Sequence, residues 1–91
     1  MQCDLLYDAY DTSGVLVGFA IVSTRKPSCL YIALMSSFVK GVGRAIVEWL
    51  LHDATHSQRF LAARATTTSV GFYLRMNFRL FSWVSIENYV G

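Results

Sequence analysis

Ninety-one residues with a formal net charge of +2 make one small domain, near the lower limit of what buries a sufficient core without staples. The 54% hydrophobic share is enough to furnish such a core, and the eight basic residues are scattered rather than clustered, which removes the electrostatic case for nucleic acid or a membrane surface. The two cysteines, Cys3 and Cys29, lack metal-ligand spacing and fall in strand-like runs, so reduced, buried thiols are expected rather than a disulfide. The longest apolar run, 15–22, is too short to span a bilayer, and no basic segment followed by an apolar one opens the chain. A cytoplasmic location is the expectation.

No linker, repeat or low-complexity stretch divides the chain. Residues 3–10 read as a strand, Asp11-Thr12-Ser13-Gly14 as a hairpin turn, and 15–24 as the return strand with Gly18 as a bulge. Pro27 pushes Lys26 out of helical geometry and marks a second turn at 25–27. Residues 29–35 are apolar on both faces, as a central strand should be, and 36–40 form a loop. A helix is expected over 42–56, burying Val42, Ile46, Trp49, Leu50 and Ala54 and presenting Arg44, Glu48, His52 and Asp53 to water. A strand over 60–65 and a short helix capped by Thr66 or Thr67 and running to Tyr73–Arg75 follow. Residues 78–86 alternate as a last strand, with Phe81 and Trp83 on its second face. The expected fold class is α/β with a mixed sheet: an antiparallel three-strand meander, then a strand-helix-strand-helix-strand unit with a parallel crossover.

Chemistry concentrates at Lys40-Gly41-Val42-Gly43-Arg44, between the third strand and the first helix. Glycines there allow close approach of a ligand to the backbone, and the helix start adds unpaired N–H groups and the positive end of its dipole. Such a junction suits phosphate oxygens. It is not a P-loop, because the lysine precedes the glycines, and not a dinucleotide fingerprint, because Ile46 stands where a third glycine is needed. Lys40 and Arg44 read equally as neutralisers of a phosphate group and as a solvated face. His52 and His56 have a spacing that can hold a metal, but no third ligand lies nearby in sequence, and no metal is expected.

Val39-Lys40-Gly41-Val42-Gly43-Arg44 resembles the acetyl-CoA pyrophosphate loop of the Gcn5-related N-acetyltransferases, usually Arg/Gln-x-x-Gly-x-Gly/Ala. The downstream run from Thr66 through Phe72-Tyr73 to Asn77-Phe78 is similar to that family's following helix and turn, about thirty residues later. Phe38 stands in place of the loop's Arg or Gln, and Asn77 in place of a glycine; Asn accepts the left-handed conformation that position needs. The resemblance covers most of the chain. It implies a single acetyl-CoA-binding domain over 1–91 without the family's usual first strand and two helices.

The resemblance further implies that acetyl-CoA is the co-substrate, held at Leu34, Met35, Val39, Lys40, Gly41, Val42, Gly43, Arg44 and Thr66, with the pantetheine arm between the strands at 29–35 and 60–65. Tyr73 matches the family's general acid for the CoA thiolate, a role a phenol of pKa about 10 can fill; its alternative is a core tyrosine. No general base stands out: Asp4, Asp8 and Asp11 are candidates, and a water relay is another. The implied activity is N-acetyl transfer to a primary amine by direct attack in a ternary complex. A catalytically silent CoA-binding module, or a subunit completed by a partner, are the alternatives. A homodimer is expected, because the first strand would be an edge with few blocking charges and Phe81 and Trp83 add an apolar face.

Overall fold

The computed structural model describes residues 4–79. Over these residues the protein is an α+β domain: four strands form one mixed sheet and two helices accompany it. The strands are β1 (Asp4–Tyr10), β2 (Leu16–Ser23), β3 (Cys29–Ser37) and β4 (Phe60–Ala63). The helices are α1 (Val42–His56), between β3 and β4, and α2 (Val70–Arg75), after β4. Strand order is β1-β2-β3-β4, with the first two pairings antiparallel and the β3–β4 pairing parallel.

The turns have the chemistry their residues suggest. Asp11 accepts the Ser13 and Val15 N–H groups on its carboxylate at 2.8 and 3.0 Å, and Gly14 takes φ +84°. The second turn closes where the Cys29 N–H meets the Lys26 carbonyl.

One face of the sheet carries the core. Ala20 and Val22 of β2, Leu30 and Ile32 of β3, Ile46, Val47, Leu50 and Ala54 of α1, and Tyr73 of α2 form one buried cluster. Each fully buried Val, Leu or Ile there contributes about 1.5–3 kcal/mol by removal from water. Two register slips shape this face. Ala9 pairs with Gly18 but Tyr10 with Leu16, so Val17 is an extra residue beside Gly18. Ile21 pairs with Leu34 but Val22 with Ile32, so Ala33 is an extra residue in β3. Past that second bulge the burial phase of β3 inverts: Leu30 and Ile32 are buried, then Met35 packs against the core while Ala33 and Leu34 are exposed.

Several expectations are corrected. β3 runs two residues further than its apolar composition suggests, because Ser36 and Ser37 pair with Phe19 and Gly18; the ladder outweighs residue preference. It is not buried on both faces, since Leu34 is 52% exposed. β4 stops at Ala63, two residues short of the expected 65. Trp49 is not on the buried stripe of α1. The stripe is Gly43, Ile46, Val47, Leu50 and Ala54, and Trp49 flanks it, 51% exposed, with its ring edge-on to Tyr7 at 5.3 Å. The N-cap of α2 is Ser69, not Thr66 or Thr67. Cys3 and the expected strand from Leu80 onward, with Phe81 and Trp83, lie outside the described residues; Phe78 and Arg79 are described and are not strand.

Candidate functional site

β3 passes through Phe38, Val39 and Lys40 into a single left-handed residue, Gly41 (φ +90°, ψ −15°), which is the N-cap of α1. A non-glycine residue would be strained there, so this glycine is a conformational requirement. The Val42 N–H donates to the Val39 carbonyl at 3.2 Å, and the first turn of the helix closes from the Ala45 N–H to the Gly41 carbonyl. No side chain caps the helix, and no acidic residue lies in its first turn. The positive end of this fifteen-residue helix therefore has no acidic residue of its own first turn beside it.

Side chains around the turn are arranged unevenly. Phe38, Val39 and Lys40 are exposed, Val42 is half-buried, and Gly43 is buried. The Arg44 Nε donates to Glu48 Oε1 at 2.9 Å, an exposed i,i+4 pair worth a few tenths of a kcal/mol. Arg44 therefore shares its charge with a carboxylate, while Lys40 precedes the turn.

β3 and β4 pair from Cys29↔Phe60 to Ile32↔Ala63, and there the parallel ladder ends. β3 continues to Ser37 against β2, and among the described residues the edge of Ala33–Ser37 that would face β4 has no ladder partner. Leu34 and Met35 lie on this segment, one exposed and one half-buried. The bulge at Ala33 coincides with the parting.

α2 brings the downstream residues to the same end of the sheet. A Cβ placed on Gly43 would stand 3.6 Å from the Phe72 ring, so α2 touches the first turn of α1. Tyr73 is buried, with its ring edge-on to Phe72 at 5.2 Å and to Phe78 at 5.1 Å. Burial pushes the Tyr73 hydroxyl's pKa up, and the neighbouring Tyr31 phenol, on β3 one residue before the parting, adds to the shift. Among the described residues no buried side-chain nitrogen or oxygen lacks a partner. Thr66 lies in the turn before α2. Its N–H donates to Ser69 Oγ at 2.9 Å, its hydroxyl also meets those of Thr68 and Ser69, and its carbonyl accepts the Val70 N–H. Ser69 spends its hydroxyl on that turn and caps α2 without a side-chain bond.

Other candidates fall elsewhere. Asp4 and Asp8 are on β1 and Asp11 begins its turn, two strands from β3, a separation of about 10 Å at ordinary strand spacing. Asp8 accepts the Tyr10 hydroxyl at 3.3 Å. His52 and His56 stack at 5.6 Å on the exposed side of α1, and among the described residues no group of three or more His, Cys, Asp or Glu is placed to hold a metal. No helix of the described residues is long and apolar enough to cross a membrane. Sequence reasoning missed Tyr31 and Gly18. Tyr31 carried no motif, and Gly18 read only as a bulge. Compared with protein-family models, curated proteins and solved structures, the chain finds no match.

Proposed function

We propose that this domain binds acetyl-CoA and transfers its acetyl group to a primary amine, as an N-acetyltransferase of the Gcn5-related kind. The observation that carries the proposal is the contact between Gly43 and Phe72. Two sequence stretches about thirty residues apart, each resembling half of one cofactor signature, lie against each other at the end of the sheet where β3 and β4 part. Pyrophosphate would be held by the backbone N–H groups that follow Gly41, with Lys40 and Arg44 supplying charge. The edge of Ala33–Ser37 that parts from β4 would receive the pantetheine arm through sheet-like hydrogen bonds, with Leu34 and Met35 beside it.

Acetyl-CoA supplies the activated thioester. The chain's own residues must orient it and supply a proton when the C–S bond breaks and the C–N bond forms. Tyr73, a phenol and so protonated at neutral pH, with its pKa raised further by burial, is the donor in this reading; the sulfur leaves as thiol and Tyr73 recovers its proton from solvent. The attacking amine must be neutral. The carboxylates of Asp4, Asp8 and Asp11 are too far from the parting to take its proton directly, so water would carry it. That same separation favours a second reading, a CoA-binding module without turnover.

Calorimetric titration with acetyl-CoA, followed by mass spectrometry of products from a pooled amine library, tests both. Binding with an acetylated product supports the enzyme, and binding without product supports the silent module. Absence of binding at millimolar acetyl-CoA sinks both. Gly41→Ala should weaken binding while costing about 1–2 kcal/mol of stability, because the added Cβ meets no atom within 4 Å and acts through backbone strain alone. A folded Gly41→Ala protein that binds as tightly as the parent would show the loop to be misassigned.

A further inference from the structure

Gly18 lies on β2, twenty-three residues before the glycine turn, yet it is the glycine whose missing side chain matters most for space. A Cβ at Gly18 would stand 2.8 Å from Val42 Cγ1, 2.9 Å from the Ser36 carbonyl oxygen and 3.3 Å from Ile46 Cδ1. A Cβ at Gly43 would make only ordinary contacts, and one at Gly41 would meet nothing. Backbone conformation does not explain Gly18, because the positive-φ glycines among the described residues are Gly14 and Gly41. The explanation is contact. Val42 is the first residue of α1 and Ile46 lies one turn on, so the start of the helix rests on bare β2 backbone at Gly18.

The surroundings make this a seat rather than a loose gap. Val17, the bulged residue beside Gly18, accepts the Phe38 N–H on its carbonyl at 2.8 Å, so β2 also grips the start of the connection from β3 to α1. Gly18 pairs with Ser37, and Ser36 is backbone that cannot rotate away. On the other side, Phe72 closes against Gly43.

We infer that Gly18 is a positioning residue: it sets the height of the α1 N-terminus over the sheet, and with it the placement of the Gly41–Arg44 N–H groups. An alanine would force Val42 from 2.8 Å out to the 3.4 Å where ordinary contact begins, or displace β3 at Ser36. Hydrogen bonds to a phosphate oxygen weaken over shifts of that size. The effect on the first turn of α1 stands on the geometry alone; the effect on acetyl-CoA rests on the function proposed above.

The test uses Gly18→Ala, Val42→Ala and the double variant in the full chain. Amide hydrogen exchange and backbone NMR shifts are followed over 42–46 and, as an internal reference, over 53–56. In Gly18→Ala, exchange over 42–46 should rise about tenfold with the reference unchanged, and the acetyl-CoA Kd should rise about tenfold. Adding Val42→Ala removes the nearest methyl group and should return both most of the way to the values of Val42→Ala alone. A Gly18→Ala protein that is less stable but unchanged over 42–46 overturns the inference, leaving Gly18 as packing only. If Gly18→Ala does not fold, recovery of folding in the double variant supports the seat. Failure of both to fold overturns it, assigning the constraint to Ser36. A parent that binds no acetyl-CoA would sink the proposed function, while the exchange pattern would still decide the role of Gly18.

Discussion

The Phe78 N–H donates to the Tyr73 carbonyl at 3.0 Å while the two rings meet edge-on at 5.1 Å. Together with the Asn77 N–H on the Leu74 carbonyl and Asn77 at φ +68°, this is a Schellman closure with its hydrophobic contact. It fixes the ring of Tyr73 from the C-terminal side, while Phe72 holds it from the other. Ring placement therefore depends on packing and backbone, not on the hydroxyl. Tyr73→Phe should leave the fold and acetyl-CoA affinity intact and lower kcat by roughly ten- to ten-thousand-fold, the range for losing a general acid. Steady-state kinetics with an identified amine decides this; an unchanged kcat from pH 7 to 9 would leave Tyr73 a packing residue.

α1 ends by the same device with a less suitable residue. The Arg59 N–H reaches the Ala54 carbonyl at 2.8 Å and the Gln58 N–H reaches Thr55, which puts Gln58 at φ +59°. A side chain in that conformation costs about 1 kcal/mol relative to glycine. Gln58→Gly should therefore stabilise the protein by roughly 0.5–1 kcal/mol despite removing a side chain. Urea denaturation would show the midpoint moving up; a lower midpoint would mean that the Gln58 side chain makes a compensating contact.

Stability should fall in alkali. Burial pushes up the Cys29 thiol, and burial followed by the Asp53 carboxylate pushes up Tyr7, whose hydroxyl donates to Asp53 at 3.3 Å. Tyr73 moves the same way. In each case the unfolded chain loses its proton first, so it binds fewer protons than the native state, and stability decreases with rising pH. The decline should start near pH 8.5, the ordinary value for a thiol, and steepen near pH 10, that for a phenol. Urea midpoints from pH 7 to 11 test the slope, and Tyr7→Phe should flatten its upper part. A midpoint that stays level to pH 11 would contradict the shifts.

Self-association remains a proposal with a visible surface. β1 is an edge of the four-strand sheet, and Leu6 on it is 64% exposed, with only Asp4 and Asp8 as blocking charges on the strand. Sedimentation at micromolar concentration should show a dimer, weakened by Leu6→Lys. A parent that sediments as a monomer at high concentration would remove the proposal.

Local signals carried much of the fold. The 3.6-residue spacing of apolar positions placed α1 at Val42–His56, and Asp11 with Gly14 and Lys26 with Pro27 marked two turns through side-chain hydrogen bonding and restricted φ. The Gly41 turn was legible as a glycine turn between strand and helix, read there as room for a ligand; that Gly41 is left-handed and for that reason must be glycine came from the structure. Asn77 was legible too, as a residue that tolerates that conformation. What depends on neighbours distant in sequence was not. Trp49 has the right spacing for burial, but α1 crosses the sheet so that Trp49 leans on Tyr7 at the edge. Ser36 and Ser37 look like loop and are strand because β2 lies alongside. The bulge at Ala33, the parting of β3 from β4 and the meeting of Phe72 with Gly43 arise only when separate elements pack. Gly18 shows the division most clearly: its residue type was evident, but the reason for it is the side chain of Val42, brought within 2.8 Å of the place its own Cβ would occupy.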